Sequence, residues 1–61
     1  MNKEEIVDFM LDSINRDNRE ICEANGMPSD QIDMQIQQSQ QSLSHMMSNL
    51  YTRMKEEGLL A

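Results

Sequence analysis

The sequence predicts an all-α fold, an antiparallel helical hairpin that pairs into a dimeric four-helix arrangement. Three observations carry this expectation. Two stretches place their apolar residues at helical spacing. The tetrapeptide Asn25-Gly26-Met27-Pro28 separates them. The second stretch is longer than the first, and its unmatched end is apolar. A single domain is expected over 1–61: a helix over about 3–24, a connection at 25–28, a helix over about 29–57 and a short apolar tail at 58–61.

Asn2 followed by Glu5 fits a capping box, in which the asparagine side chain satisfies an orphan amide and the glutamate reaches back. Glu4, Glu5 and Asp8 then stand near the positive end of the helix dipole. The first helix carries Ile6, Val7, Met10, Leu11, Ile14, Ile21 and Ala24 as its apolar positions. Val7, Ile14 and Ile21 are seven apart. Asp17 and Asn18 interrupt the stripe, and Phe9 lies off it. Gly26 can take the positive φ that ends this helix, and Pro28 and Ser29 suit the start of the next.

The second helix is expected to begin near Ser29 or Asp30 and to stop at Gly58. At about 27 residues it is about 40 Å long. Its apolar positions are Ile32, Ile36, Leu43, Met46, Met47, Leu50, Tyr51 and Met54. Asp30 and Asp33 suit its N-terminal end, and Arg53 and Lys55 its C-terminal end. Leu59 and Leu60 follow Gly58, as hydrophobic residues often follow a glycine cap. The Gln/Ser stretch at 37–42 reads as a solvated helical segment. The alternative is a buried polar layer that sets register, as one core Asn does in coiled coils.

A four-residue connection makes the helices antiparallel neighbours. Equal rise in both helices then pairs residues whose numbers sum to about 53. Ile21 meets Ile32, Ile14 meets Ser39, and Met10 meets Leu43. Leu50 reaches only Lys3, so Tyr51, Met54, Leu59 and Leu60 lie past the end of the first helix. Each large apolar side chain left in water forgoes ~1.5–3 kcal/mol of burial. The expected association surface is therefore Leu43, Met46, Met47, Leu50, Tyr51, Met54, Leu59 and Leu60. A second copy of the chain is the expected partner, a different protein the alternative, and a tail that folds back or frays the third possibility.

Size sharpens this argument. A 61-residue chain buries only about 60% of its unfolded surface. Small domains compensate with disulfides, a metal or oligomerisation. The single cysteine, Cys22, excludes an internal disulfide. Cys22 and His45 together fall short of the four ligands of a structural zinc site. Association remains, and no cofactor is expected.

The chain has 11 acidic and 5 basic residues, for a formal charge of −6. Direct nucleic-acid binding needs a basic patch. Arg16 and Arg19 sit among Asp12, Asp17, Glu20 and Glu23, so none is expected, and an anionic membrane is disfavoured alike. No apolar run approaches the ~20 residues that span a bilayer. The start Met1-Asn2-Lys3-Glu4-Glu5 is too acidic and polar for a signal peptide. A cytoplasmic protein with a reduced thiol is expected.

No catalytic set is visible. His45 is the one side chain that ordinarily titrates near neutrality, with Gln41 and Asn49 as helical neighbours, and no third orienting group joins it with Ser42, Ser44 or Ser48. Cys22 reads as a small packed hydrophobe. Glu5, Asp8 and Asp12 form an acidic helical edge. Its default is a solvated face, its functional reading a mimic of DNA phosphates, and Arg16 interrupts it. The expectation is a non-enzymatic protein–protein interaction module. An acidic DNA mimic or inhibitor of a nucleic-acid-binding protein is the first alternative, and a small DNA-binding regulator the second.

The segment Ile21-Cys22-Glu23-Ala24-Asn25-Gly26-Met27-Pro28, with Asn15-Arg16-Asp17-Asn18-Arg19 before it and Leu50-Tyr51-Thr52-Arg53-Met54-Lys55 after it, resembles the small helical accessory proteins of the lambdoid phage early region. The resemblance implies a modulator of host regulation that biases lytic against lysogenic development, acting in the cytoplasm of a bacterial host. It carries over no catalytic residue. A family of short helical-hairpin phosphatases in bacteria bears a Ser-Gln-Glu-Leu-Asp signature. Ser39-Gln40-Gln41-Ser42-Leu43 lacks its acids, which argues against that activity.

Overall fold

The computed structural model describes residues 1–60; Ala61, the last residue of the expected tail, lies outside them. The described residues form two helices and no strand, α1 at Lys3–Ala24 and α2 at Ser29–Glu56, packed against each other. The hairpin measures 41 × 19 × 18 Å, so its length is that of α2 alone.

Local signals account for each helix end. The Asn2 side chain accepts from the Glu5 amide at 2.9 Å, and the Glu5 carboxylate accepts from the Asn2 amide at 3.5 Å. Both arms of the capping box are thus formed. At the other end of α1 the Met27 amide donates to the Cys22 carbonyl at 3.0 Å and the Gly26 amide to the Glu23 carbonyl at 3.0 Å. Gly26 has φ of +81°. This is a Schellman motif, and glycine fits it because a Cβ is disfavoured at positive φ. The end of α2 repeats the motif: Leu59 donates to Met54 at 2.9 Å and Gly58, at φ +74°, donates to Lys55 at 3.1 Å. Pro28 precedes α2 with no side-chain cap bond, leaving Asp30 in the first turn to complement the dipole.

Polar contacts between the helices fix the register. Lys3 donates to the Thr52 hydroxyl at 3.1 Å, and the Asn15 amide donates to the Gln40 side-chain oxygen at 3.0 Å. Arg19 pairs with Asp33. Thr52 and Gln40 lie two residues beyond the expected pairing, and Asp33 one residue short of it. Tyr51 is therefore level with the start of α1, and the Lys3 ammonium stands 5.9 Å from its ring centroid.

The face of α1 that meets α2 also differs from the heptad reading. Ile32 is 1% exposed, yet Ile21 is 60% exposed. Cys22, half-buried, faces α2 in its place, with its Sγ 3.8 Å from the Gln35 side-chain oxygen. Val7, Leu11, Asn15, Arg19 and Cys22, mostly four apart, form the row of α1 that meets α2, with Ile6, Met10, Ser13 and Ile14 half-buried beside it. The row of α2 includes Ile32, Ile36, Leu43, Met47, Tyr51 and Met54. Both rows advance slightly more than 3.6 residues per turn, whereas a seven-residue spacing drifts backwards by about 20° each heptad. Two heptads carry Ile21 off the seam.

Candidate interaction surface

Among the described residues the buried hydrophobic core is Val7, Leu11 and Ile32. The remaining apolar side chains are half-covered or open, and their placement follows from helix geometry. One residue turns an α-helix by about 100°. Ile6, Met10, Ile14 and Ile21 each precede a seam position of α1, so all four stand on one flank of it. On α2, Met46 and Leu50 precede the seam positions Met47 and Tyr51. Both helices are right-handed and antiparallel. A step back along either chain therefore turns to the same side of the plane through their axes. The apolar flanks of α1 and α2 share one side, with Ile6 level with Leu50 and Met10 with Met46; the flank position of α2 level with Ile14 is the exposed Ser42.

The opposite side confirms the sense of rotation. Asp8, which follows Val7, lines one surface depression with Ser44 and Ser48. Asp8 also lines a second one with Gln37, Gln41 and His45. The polar flanks thus share one side, and the apolar flanks share the other.

The expected surface residues divide accordingly. Leu50 is 42% exposed, Met46 51% and Leu59 70%. Leu43, Met47, Tyr51, Met54 and Leu60 are half-buried, Tyr51 beneath Lys3 as described above. Sequence reasoning placed this surface on the second helix. The contribution of Ile6, Met10 and Ile14, each half-buried, was missed. A signal for it exists in the sequence: the doublets Ile6-Val7, Met10-Leu11, Met46-Met47 and Leu50-Tyr51. A doublet turns one side chain into the seam and leaves its neighbour about 100° away. A stripe that wide is broader than the one seam with α2 covers.

The accessible surface is 4881 Å². A folded monomer of 7.1 kDa is expected to expose about 4,100 Å². The excess of about 800 Å² equals one partner's share of a standard protein–protein interface.

The other candidate groups are placed as follows. The Nε2 of His45 lies 3.3 Å from the Asn49 side-chain amide, on an exposed stretch. Asp12 pairs with Arg16 at 3.1 Å, so the acidic edge is partly neutralised within its own helix. Gln37, Gln38, Gln40, Gln41 and Ser42 are exposed in the single hairpin, and Ser39 is half-buried, with its hydroxyl donating to the Gln35 carbonyl at 3.0 Å. Asn15 Oδ1 is buried without a hydrogen-bond partner, beside the Asn15–Gln40 bond. Arg19 has a raised pKa because it bonds the Asp33 carboxylate and lies in the field of that charge and of Glu23. No group of three or more His, Cys, Asp or Glu among the described residues is placed to hold a metal ion. No described helix is long and apolar enough to cross a membrane.

Comparison with protein-family models, curated proteins and solved structures found no match.

Proposed function

We propose that this chain is a non-enzymatic protein–protein interaction module that acts as a homodimer of hairpins. The observation that carries the reading is the apolar side built from both helices, set against a buried core of Val7, Leu11 and Ile32. A core of that size gives little beyond the ~5 kcal/mol at the low end for folded domains. Covering a half-open Leu or Met adds about 1 kcal/mol for each half-covered side chain. Self-association supplies the missing cover with the same residues of a second copy. The resemblance to lambdoid phage accessory proteins extends the proposal to a modulator of host regulation, with a host or phage protein as its further partner. The polar side, with its acidic edge on α1, remains free for that contact.

Sedimentation equilibrium at micromolar concentration tests the first part. The expected mass is twice the 7.1 kDa of one chain. A folded monomer with sharp, dispersed amide signals would contradict it. Affinity capture with the assembled dimer tests the second part; recovery of nucleic acid in place of protein would reverse the choice of partner class.

A further inference from the structure

We propose that the occupant of the apolar side is a second copy lying antiparallel, so that the connecting loops stand at opposite ends of the four-helix assembly. This rests on the self-association proposed above and specifies its geometry. Two two-fold arrangements can bury the same side. In one the two-fold axis runs along the helices and the loops lie together. In the other the axis crosses the helices and the loops lie apart.

Three observations favour the second. The half-buried row Ile6, Met10 and Ile14 of α1 centres on Met10, so a crossing axis at that level superposes this row on itself. Ile6 then faces Ile14 of the second copy. The second observation concerns the ends. Ile21 is 60% exposed and lies about 16 Å from Met10 towards the loop. A crossing axis carries it the same distance past Met10 in the other copy, to the open end. There Met1 is 81% exposed and Leu59 is 70% exposed, the latter held near Met54 by the hydrogen bond of 2.9 Å that its N–H donates to the Met54 carbonyl. Ile21 of one copy and Met1 and Leu59 of the other thereby cover one another. With the loops together, Ile21 would stand over the exposed Gln35, and Met1 and Leu59 would stay in water. The third observation is charge. Asp17 lies on the apolar flank about 10 Å from Met10. The crossing axis brings it level with Arg53 of the second copy, whereas the other axis groups both copies of Asp17 at one end.

Cysteine cross-linking tests the arrangement. The full chain carrying Cys22→Ser is given Ile21→Cys, Leu59→Cys, or both, and is oxidised at micromolar concentration. Within one hairpin these positions lie at opposite ends of a 41 Å molecule and cannot link. The expected result is a disulfide-bonded dimer from the double variant, at least ten times faster than from either single variant. Both exchanged positions are exposed, so folding is retained and is checked by circular dichroism. Rapid linking of a single variant, with the dimer mass intact, would overturn the antiparallel order. Dimer mass with no link in the double variant would overturn the placement of Ile21 on the open end. A monomer mass for the unsubstituted chain would overturn the self-association reading itself, and the geometry with it.

Discussion

Leu50→Asp separates a lone hairpin from an assembled one. Leu50 is 42% exposed in the single chain, so somewhat more than half of its surface is covered. Full burial of a leucine contributes ~1.5–3 kcal/mol, and the covered part therefore contributes about 1–1.5 kcal/mol. In a lone hairpin the new carboxylate keeps its water, and the loss stops near that figure. In a dimer closed over the apolar side, two carboxylates, one from each copy, would be enclosed without partners. Each costs several kcal/mol; at about 3 kcal/mol apiece the dissociation constant rises by about 10⁴. Sedimentation velocity and helical circular dichroism on the same samples report both quantities. The expected outcome is a monomer that keeps most of its helix at low temperature. A variant that stays dimeric, with a dissociation constant within threefold of the parent, would refute the placement of Leu50 in the contact.

Further outcomes follow from other parts of the molecule. Ile32→Ala removes the one side chain that is 1% exposed and should cost about 2–5 kcal/mol, enough to unfold much of the population in a urea titration at room temperature. Gly26→Ala places a Cβ at φ of +81°, open space but a disfavoured backbone, and should lower stability by about 1 kcal/mol with no change in assembly mass at low temperature. Asp33 raises the Arg19 pKa. A raised folded-state value gives stability that is present below the unfolded value and lost as pH climbs through the folded one. The urea midpoint difference between the parent and Asp33→Asn should therefore stay constant from about pH 6 to about pH 9; a difference that shrinks within that window would show that another group carries it.

Much of the fold was legible because its signals are local. Asn2 and Glu5, Gly26, and Gly58 with Leu59 each act within a few residues, and each makes the hydrogen bonds its residue type suggests. The seam was harder to read. Val7, Ile14 and Ile21 fit a heptad in sequence, but α1 and α2 meet along a longer repeat, and that choice depends on how two helices cross rather than on either one alone. Cys22 faces α2 in place of Ile21 because a row of three four-residue steps and one three-residue step keeps pace with that crossing. The apolar side was half legible. Reasoning from unequal helix lengths led to Leu50 and Leu59. It passed over Ile6, Met10 and Ile14, because they had been assigned to the stripe that faces the second helix. Their doublets with Val7, Leu11 and the polar Asn15 show why a single neighbour cannot cover them all.

Thermal unfolding across a hundredfold range of protein concentration tests the central claim most directly, because stability drawn from a second copy depends on how much of that copy is present. The midpoint is predicted to rise steadily with concentration, and the rise should vanish in Leu50→Asp. A midpoint independent of concentration in the unsubstituted chain would contradict the account: the hairpin would then be stable alone, with its apolar side open to water.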